Sequence, residues 1–359
     1  MTITAFTYTQ RNRRMIFGPG ARSALTTEVA SMGATKVFLI IDGGAITLRA
    51  EIENLIGSVL VTTWTDVQQH VPIPLAESAR ELVTATGSDL VVCVGGGSAT
   101  GLAKAIALTH RIPIIAVPTT YAGSEQTAIY GLTGDRHKQT GSDLIVLPRV
   151  VLYDAELTVG LPAKVTGASA FNALAHSVES LYAPGCNPIT TAIALEGVRA
   201  INQSLPRVMA TPTDIDARAQ LLYGAAMSGI TLGDTAAAFH HKICHVLGGA
   251  FGMVHADAHS VVLPHAIAFN APAIPIEMSQ IASALKCCAD DVAGSLWDLA
   301  VASEVPTSLA DLGLRREDLG EVATRAAAEI RTNPRTFTAG DIERLLLDAF
   351  DGNRPKPIL

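Results

Sequence analysis

The sequence predicts two unlike domains, an α/β domain with a parallel sheet at residues 1–155 and an all-helical domain at residues 156–359. Two observations predict this fold class. In the N-terminal half, short and continuously apolar runs alternate with stretches of helical composition, which is typical of parallel strands covered by helices on both faces. After Pro162, Ala- and Leu-rich stretches recur at the helical period and clusters of β-branched residues become rare.

The predicted strands of the first domain are apolar runs bounded by turn residues. They span residues 36–41, 59–64, 89–94, 113–117 and 149–153. Helices are predicted between them, at residues 74–86 and 101–109. Because parallel sheets bind ligands beyond the carboxyl ends of their strands, the Gly-rich and Thr-rich segments that follow these strands are candidate binding loops.

The second domain is predicted to contain only helices. The clearest helical periods span residues 168–182, 190–204, 214–228, 235–247 and 319–330. Helix breaks are predicted at Pro184-Gly185, Thr211-Pro212, Gly248-Gly249 and Asn333-Pro334.

The composition excludes several function classes. The chain has 26 Lys and Arg residues against 33 Asp and Glu residues, and this net charge of −7 disfavours nucleic-acid binding. Its apolar runs are shorter than the ~18–20 residues of a membrane-spanning helix. Five cysteines without CxxC spacing favour reduced thiols and a cytoplasmic protein. Arg11, Arg13 and Arg14 are interpreted as part of a solvated strand edge.

A triple glycine, Gly95, Gly96 and Gly97 followed by Ser98, comes directly after a predicted strand and before a helix. Glycines allow a diphosphate to approach the backbone closely, and the start of a helix favours an anion. A tight strand-to-helix turn without a ligand is the alternative, because the spacing matches neither common nucleotide-binding motif.

Two further segments support a dinucleotide site. A polar loop containing Thr119, Thr120 and Ser124 follows the next predicted strand. Asp42 ends the first strand, where a carboxylate accepts hydrogen bonds from ribose hydroxyls and repels a 2′-phosphate, which favours NADH over NADPH. The alternative for Asp42 is an ordinary turn residue before two glycines.

Six of the ten histidines lie between residues 240 and 265. His241 and His245 share one helix face, and Asn172 and His176 form a second i,i+4 pair on another helix. His255 lies beyond the predicted break, so the chain can bring it back to the same place. Converging imidazoles suit either a divalent metal or a proton relay. Three more histidines have no assigned role at this point: His240, His259 and His265.

These motifs resemble the iron-containing alcohol dehydrogenase superfamily, in order along nearly the whole chain. Within it, the details are similar to the maleylacetate reductases. The segments that carry the resemblance are GGGSATGLAKAIAL (95–108), PTTYAGSEQTAIYGLT (118–133), NALAHSVESLYAP (172–184) and HHKICHVLGG (240–249). The resemblance implies the two-domain architecture of that superfamily, which dehydroquinate synthase shares, and a homodimer.

The four metal-ligand positions of the metal-dependent branch, one Asp and three His, map to Asn172, His176, His241 and His255. An amide is a poor ligand for a divalent transition metal because it brings no negative charge. Gly101 also replaces the Asp that usually follows the GGGS loop in that branch. Both departures match the reductase branch, so the resemblance implies catalysis without a tightly bound metal.

The resemblance implies NAD(P)H-dependent reduction of the conjugated carbon–carbon double bond of maleylacetate to 3-oxoadipate, a reaction of aromatic-compound degradation. Reduction of such a bond needs stabilisation of an enolate-like charge and a proton donor. His245 is the expected donor, Tyr121 is the alternative donor, and His241 is a third catalytic candidate. The expected substrate contacts are Asn172, His176, Lys242, His255 and Arg335.

Two other functions remain open. One is a metal-dependent (Fe or Zn) alcohol or polyol dehydrogenase, and the other is a lyase resembling dehydroquinate synthase. Both need a well-built metal site, and Asn172 counts against both.

Overall fold

The computed structural model describes residues 5–134 and 138–356. The chain divides into two compact units. The first unit is Thr9–Leu161, and the second comprises the segment up to Tyr8 together with the chain from Pro162 onward. The predicted boundary at residue 155 falls at the start of the short 3-10 helix Ala155–Thr158, which belongs to the first unit.

A six-stranded, fully parallel sheet with the order β1-β8-β5-β4-β2-β3 forms the centre of the first unit, and β6 and β7 form a separate antiparallel pair. The strands are β1 (Arg14–Phe17), β2 (Val37–Ile41), β3 (Leu60–Trp64), β4 (Leu90–Gly95), β5 (Ile114–Pro118), β6 (Ile129–Thr133), β7 (Lys138–Ser142) and β8 (Val150–Tyr153). All five predicted strands are present. β2, β4 and β5 are buried along their whole length, which explains why their sequences are continuously apolar.

The helices of the first unit pack around this sheet. They are α1 (Leu25–Ser31), α2 (Arg49–Ile56), α3 (Ile73–Thr86) and α4 (Gly97–His110). α4 begins four residues before its predicted start at Gly101, so Gly97 and Ser98 lie in its first turn. The glycine-rich segment is therefore the junction between β4 and α4.

The second unit contains nine α-helices among its described residues. They are α5 (Ala163–Ser180), α6 (Pro188–Ala210), α7 (Ile215–Asp234), α8 (Phe239–Phe251), α9 (His255–Asn270), α10 (Pro275–Leu285), α11 (Val292–Ala302), α12 (Leu319–Glu329) and α13 (Ala339–Phe350). In the part of the chain that the structure describes, none of the helices is long and apolar enough to cross a membrane. The fold class predicted from the sequence is confirmed.

Two predicted features around α8 are wrong. The helix continues through Gly248 and Gly249 and ends at Gly252, which has a left-handed φ of +69°. It also begins at Phe239 and not at Thr235, because α7 extends to Asp234. The apolar face of α8 belongs to a buried core shared with α9, α12 and α13. That packing outweighs the ~1 kcal/mol that each interior glycine costs a helix.

Candidate active site

The backbone conformation of the glycine-rich junction between β4 and α4 requires glycine. Gly95 has a φ of +148°, and a Cβ at this position would lie 2.1 Å from Oδ2 of Asp42, so no other residue fits. Gly96 is the N-cap of α4 and provides no side-chain cap. The N–H groups of the first turn, around Gly97 and Ser98, therefore face outward with the partial positive charge of the helix, an arrangement that suits a diphosphate.

Asp42 has the turn role that the sequence offered as an alternative, and also a contact with the glycine junction that the sequence did not reveal. Its Oδ1 accepts a hydrogen bond from the backbone N–H of Ala45 at 3.0 Å, and its Oδ2 accepts one from Gly96 at 2.6 Å. The carboxylate of Asp42 thus holds both the turn after β2 and the glycine junction before α4 in place. An ionised carboxylate offers about four acceptor positions, so a ribose contact is still chemically available.

The second polar loop lies against the glycine junction. Thr119 donates its backbone N–H to the carbonyl of Gly95 at 3.0 Å. A Cβ on Gly96 would lie 3.2 Å from Oγ1 of Thr120, and one on Gly97 would lie 3.8 Å from Oγ of Ser124. The structure therefore brings the predicted cofactor residues of both loops together.

A buried lysine on α4 anchors this second loop. Nζ of Lys104 donates hydrogen bonds to the carbonyl oxygens of Ser124 (2.6 Å), Thr127 (2.8 Å) and Ile129 (2.8 Å). Burial lowers the pKa of Lys104 to about 7, while the nearby Glu125 carboxylate acts in the opposite direction. Sequence analysis missed this role, although a lysine in the otherwise apolar run GLAKAIAL was a signal for a buried cation.

Glu125 and Tyr121, both in the second loop, are also buried. The pKa of Glu125 is raised by burial, and Glu125 accepts a hydrogen bond from the hydroxyl of Tyr153 at 2.5 Å. Tyr121 is fully buried and donates to Oγ1 of Thr158 at 3.2 Å. This contact favours a packing role for Tyr121 over the alternative role as proton donor.

Helices α5, α8 and α9 bring six histidines together, here called the histidine cluster: His176, His240, His241, His245, His255 and His259. His176 and His241 stack with ring centroids 5.1 Å apart. His245 stacks on His255 at 5.7 Å and lies 6.3 Å from His241. The convergence expected from the sequence is therefore present, and His240 and His259, which had no assigned role, belong to it.

Glu179 on α5 is the main residue of this site that sequence analysis missed. Its carboxylate is buried and accepts backbone N–H groups at the start of α8, from Ala238 at 2.9 Å and from His240 at 2.6 Å. It also accepts a hydrogen bond from Nδ1 of His241. Nε2 of His241, also buried, has no hydrogen-bond partner among the described residues and is therefore the nitrogen available to a ligand. The signal was the i,i+3 spacing of His176 and Glu179, which places both on one face.

Burial and neighbouring histidines set the charge of the cluster. The pKa of His176, of His240 and of His259 lies well below the usual value, chiefly because burial penalises the charged ring. These three rings are therefore neutral near pH 7. Nδ1 of His176 has no hydrogen-bond partner among the described residues. Asn172, one turn before His176 on α5, is buried as well.

Three predicted or unassigned residues lie apart from the cluster contacts. Nζ of Lys242 lies 3.7 Å from Oε2 of Glu329, and the side chain of Lys242 is about one third exposed. Arg335 donates to the carbonyl of Phe269 at 2.6 Å and stacks over its ring, with Cζ 4.3 Å from the centroid. Arg335 and His265 line a cavity of about 690 Å³ in the second unit. The substrate contacts of Lys242 and Arg335 stay predictions, and His265 has no predicted role.

The four family metal positions fit a divalent ion poorly. Asn172 offers an amide in place of a carboxylate. The rings of His176 and His241 stack on each other, and Nε2 of His255 lies 3.0 Å from Nε2 of His259. Among the described residues, the ligand atoms of the three histidines of this set do not all lie within 4.8 Å of one another. The reaction proposed below therefore uses no ion at these positions.

Comparison with known families agrees with this architecture. The family model described as iron-containing alcohol dehydrogenase matches residues 12–155, and the model for the C-terminal region of the same family matches residues 166–350. Together they span both units. The chain belongs to the iron-containing alcohol dehydrogenase family and is an oxidoreductase.

Individual relatives cover nearly the whole chain. Maleylacetate reductase from Burkholderia cepacia is 44% identical over 353 residues, which are 98% of this chain and 100% of the relative. The crystal structure of maleylacetate reductase from Agrobacterium tumefaciens has a TM-score of 0.92 at 38% identity and covers 98% of this chain and 100% of that one. The structure of an iron-containing alcohol dehydrogenase from Corynebacterium glutamicum has a TM-score of 0.93 at 39% identity, covering 99% of each chain.

Proposed function

We propose that this protein is a maleylacetate reductase. It catalyses maleylacetate + NAD(P)H + H⁺ → 3-oxoadipate + NAD(P)⁺. The observation that carries the proposal is the full-length identity of 44% to a maleylacetate reductase, together with Asn172 at the first metal position of the family. The product places the enzyme in the degradation of aromatic compounds.

The first unit provides the features for the dinucleotide. When bound, the cofactor supplies the hydride. The free backbone N–H groups of the first turn of α4, at Gly97 and Ser98, would hold the diphosphate, because the N–H of Gly96 is already donated to Asp42. Thr119, Thr120 and Ser124 of the second loop lie beside this turn. Asp42 accepts the ribose hydroxyls, so NADH is the preferred form.

The second unit provides the groups for the substrate. Addition of hydride to the conjugated double bond leaves an enolate-like charge, which hydrogen-bond donors of the histidine cluster stabilise. His245 protonates the neighbouring carbon. The amide N–H of Asn172 and the ring N–H of His176 offer donors to the two carboxylates of the substrate, and Nε2 of His241 donates only when its ring carries both hydrogens. Because the chain carries a net charge of −7, binding of a dianion depends on such local donors.

A second candidate function is that of a metal-dependent alcohol dehydrogenase. It is favoured by the 39% identity to the iron-containing alcohol dehydrogenase of Corynebacterium glutamicum. This function needs a metal at the family positions, and the amide of Asn172 argues against it.

The test is an assay after exhaustive chelation, with maleylacetate and either NADH or NADPH. We expect full reduction of maleylacetate, faster with NADH, and no oxidation of simple alcohols. Activity that disappears on chelation and returns with Fe²⁺ or Zn²⁺ would contradict the metal-free mechanism. Alcohol oxidation without maleylacetate reduction would favour the second candidate.

We also propose that the protein is cytoplasmic, which five cysteines without CxxC spacing support. We propose that it is a homodimer, which the 48% hydrophobic composition and the family resemblance support. Light scattering coupled to gel filtration gives the oligomeric state directly.

A further inference from the structure

Three buried side chains outside the family metal positions form a compact set of metal-ligating donors. His240 and Cys244 lie four residues apart on α8, and His259 is on α9. All three are fully buried, and their ligand atoms lie within 4.8 Å of one another. Among the residues that the structure describes, His240, Cys244 and His259 are the set of three His, Cys, Asp or Glu side chains whose ligand atoms lie this close together.

We propose that His240, Cys244 and His259 form a metal site for Zn²⁺ or a similar divalent ion, distinct from the four positions of the family. The ligand atoms are Nε2 of His240, Sγ of Cys244 and Nδ1 of His259. Two imidazoles and a thiolate are the donors that zinc prefers. The thiolate also supplies the negative charge that the set containing Asn172 lacks.

The distances can be compared with tetrahedral zinc. Zn–N bonds of about 2.05 Å and a Zn–S bond of about 2.3 Å place the N and S atoms roughly 3.6 Å apart and the two N atoms roughly 3.3 Å apart. Sγ of Cys244 lies 3.7 Å from Nε2 of His240, which already fits. Nε2 of His240 and Nδ1 of His259 lie 2.6 Å apart and share a hydrogen bond, so the rings must separate by about 0.7 Å. The ion takes the place of the shared hydrogen, which moves to the other nitrogen of its own imidazole ring.

The protons balance with one proton released. Cys244 loses its thiol proton when the Zn–S bond forms, and both imidazoles stay neutral. The hydrogen of His240 resides on Nδ1, away from the ion. The hydrogen of His259 resides on Nε2, which lies 3.0 Å from the acceptor Nε2 of His255. This contact is the outer-shell hydrogen bond that metal-bound histidines commonly make. With three protein donors, the ion keeps one position for water or another small ligand.

Cobalt distinguishes this site from the family positions, because only this set contains a thiolate. Co²⁺ is added to chelator-treated full-length protein. We expect one equivalent to produce thiolate-to-cobalt charge-transfer absorption in the near ultraviolet, and Zn²⁺ to displace it. Cys244→Ser removes the absorption, and His259→Gln weakens Co²⁺ binding at least 10-fold. Zn²⁺ also raises the melting temperature of the wild-type chain, because the ion joins α8 to α9.

Two matched variants control for other sites. Cys287→Ser/Cys288→Ser removes two more accessible thiols, and His176→Gln removes a donor of the family set. Both are expected to keep the absorption. Three results would overturn the proposal: cobalt binding without a thiolate band, a band that survives in folded Cys244→Ser, or a band lost with Cys287 and Cys288. If Cys244→Ser does not fold, His259→Gln decides. Maleylacetate reduction is measured separately and does not enter these outcomes.

Discussion

The carboxylate of Glu179 holds two parts of the site in place, the first turn of α8 and the ring of the catalytic candidate His241. Its two oxygens accept two backbone N–H groups of the first turn of α8 and Nδ1–H of His241. All three donors point at one carboxylate, which lies at the positive end of the helix. The tautomer of His241 is thereby fixed, with Nε2 as its reactive nitrogen.

Glu179→Gln is therefore expected to lower kcat about 10–100-fold, because displacement of a catalytic group by about 1 Å can cost up to about 100-fold in rate. The amide still accepts a hydrogen bond but brings no charge, so it holds the ring of His241 less firmly. Steady-state kinetics with maleylacetate measure the effect, and the KM for NADH should not change. Glu196→Gln is the control, because Glu196 pairs with Arg199 on a partly exposed face of α6. Unchanged kcat in a folded variant would remove this role from Glu179.

His245→Ala is expected to lower kcat by roughly 10²–10⁴ if His245 delivers the proton. Stopped-flow single turnovers with NADH separate the chemical step from product release. Turnover close to wild type would assign the proton to another residue, and His241 would then be tested first.

Within the site, the sequence alone predicted those contacts that follow from the spacing of residues along a helix. The i,i+4 pairs of α5 and α8 predicted the convergence of His176, His241 and His245. The sequence was insufficient for Glu179 and for the bond between Asp42 and Gly96, because both act through backbone N–H groups of a different segment. Such contacts depend on how helices and strands pack, which no local pattern contains.

At the level of elements, the buried strands and the edge strand β3 were predicted, whereas β1 was expected only as a solvated strand edge at Arg11, Arg13 and Arg14. β2, β4 and β5 are apolar throughout because helices cover both faces of the sheet. β1 was not predicted as a strand of four residues, and the pair β6–β7 was missed. Their formation depends on pairing with partners and not on their own composition.

The second loop of the first unit depends on one side chain of α4. Lys104→Met removes the ammonium and leaves the buried carbonyl oxygens of Ser124, Thr127 and Ile129 without their donor. We expect a loss of roughly 3–5 kcal/mol in the free energy of unfolding and a higher KM for NADH. Urea denaturation measures the first quantity. Lys36→Met, at an exposed lysine of the same unit, should change stability by less than about 0.5 kcal/mol. Equal stability of the two variants would show that Lys104 does not hold the loop.

At the level of the whole molecule, buried neutral histidines make stability depend on pH. Burial lowers the pKa of His265 to about 4, with Asp348 acting in the opposite direction. The unfolded chain binds a proton at this residue below about pH 6.5, and the folded chain does not until about pH 4. Acidification from pH 6.5 to pH 4 therefore favours unfolding.

His265→Gln should reduce this acid sensitivity. Between pH 8 and pH 5 the wild-type chain loses about 2 kcal/mol through His265, and the variant does not. Urea denaturation of both proteins at the two pH values gives the difference. An identical pH dependence would show that His265 is protonated in the folded protein at pH 5.

The bonds of Glu179 also have a dynamic consequence. The amide hydrogens of Ala238 and His240 are protected by the same carboxylate that orients His241. A local opening of the first turn of α8 exposes these amides to exchange with solvent and releases the imidazole in the same event. Their hydrogen–deuterium exchange rates thus report, without any substrate, the fraction of time during which the site is assembled.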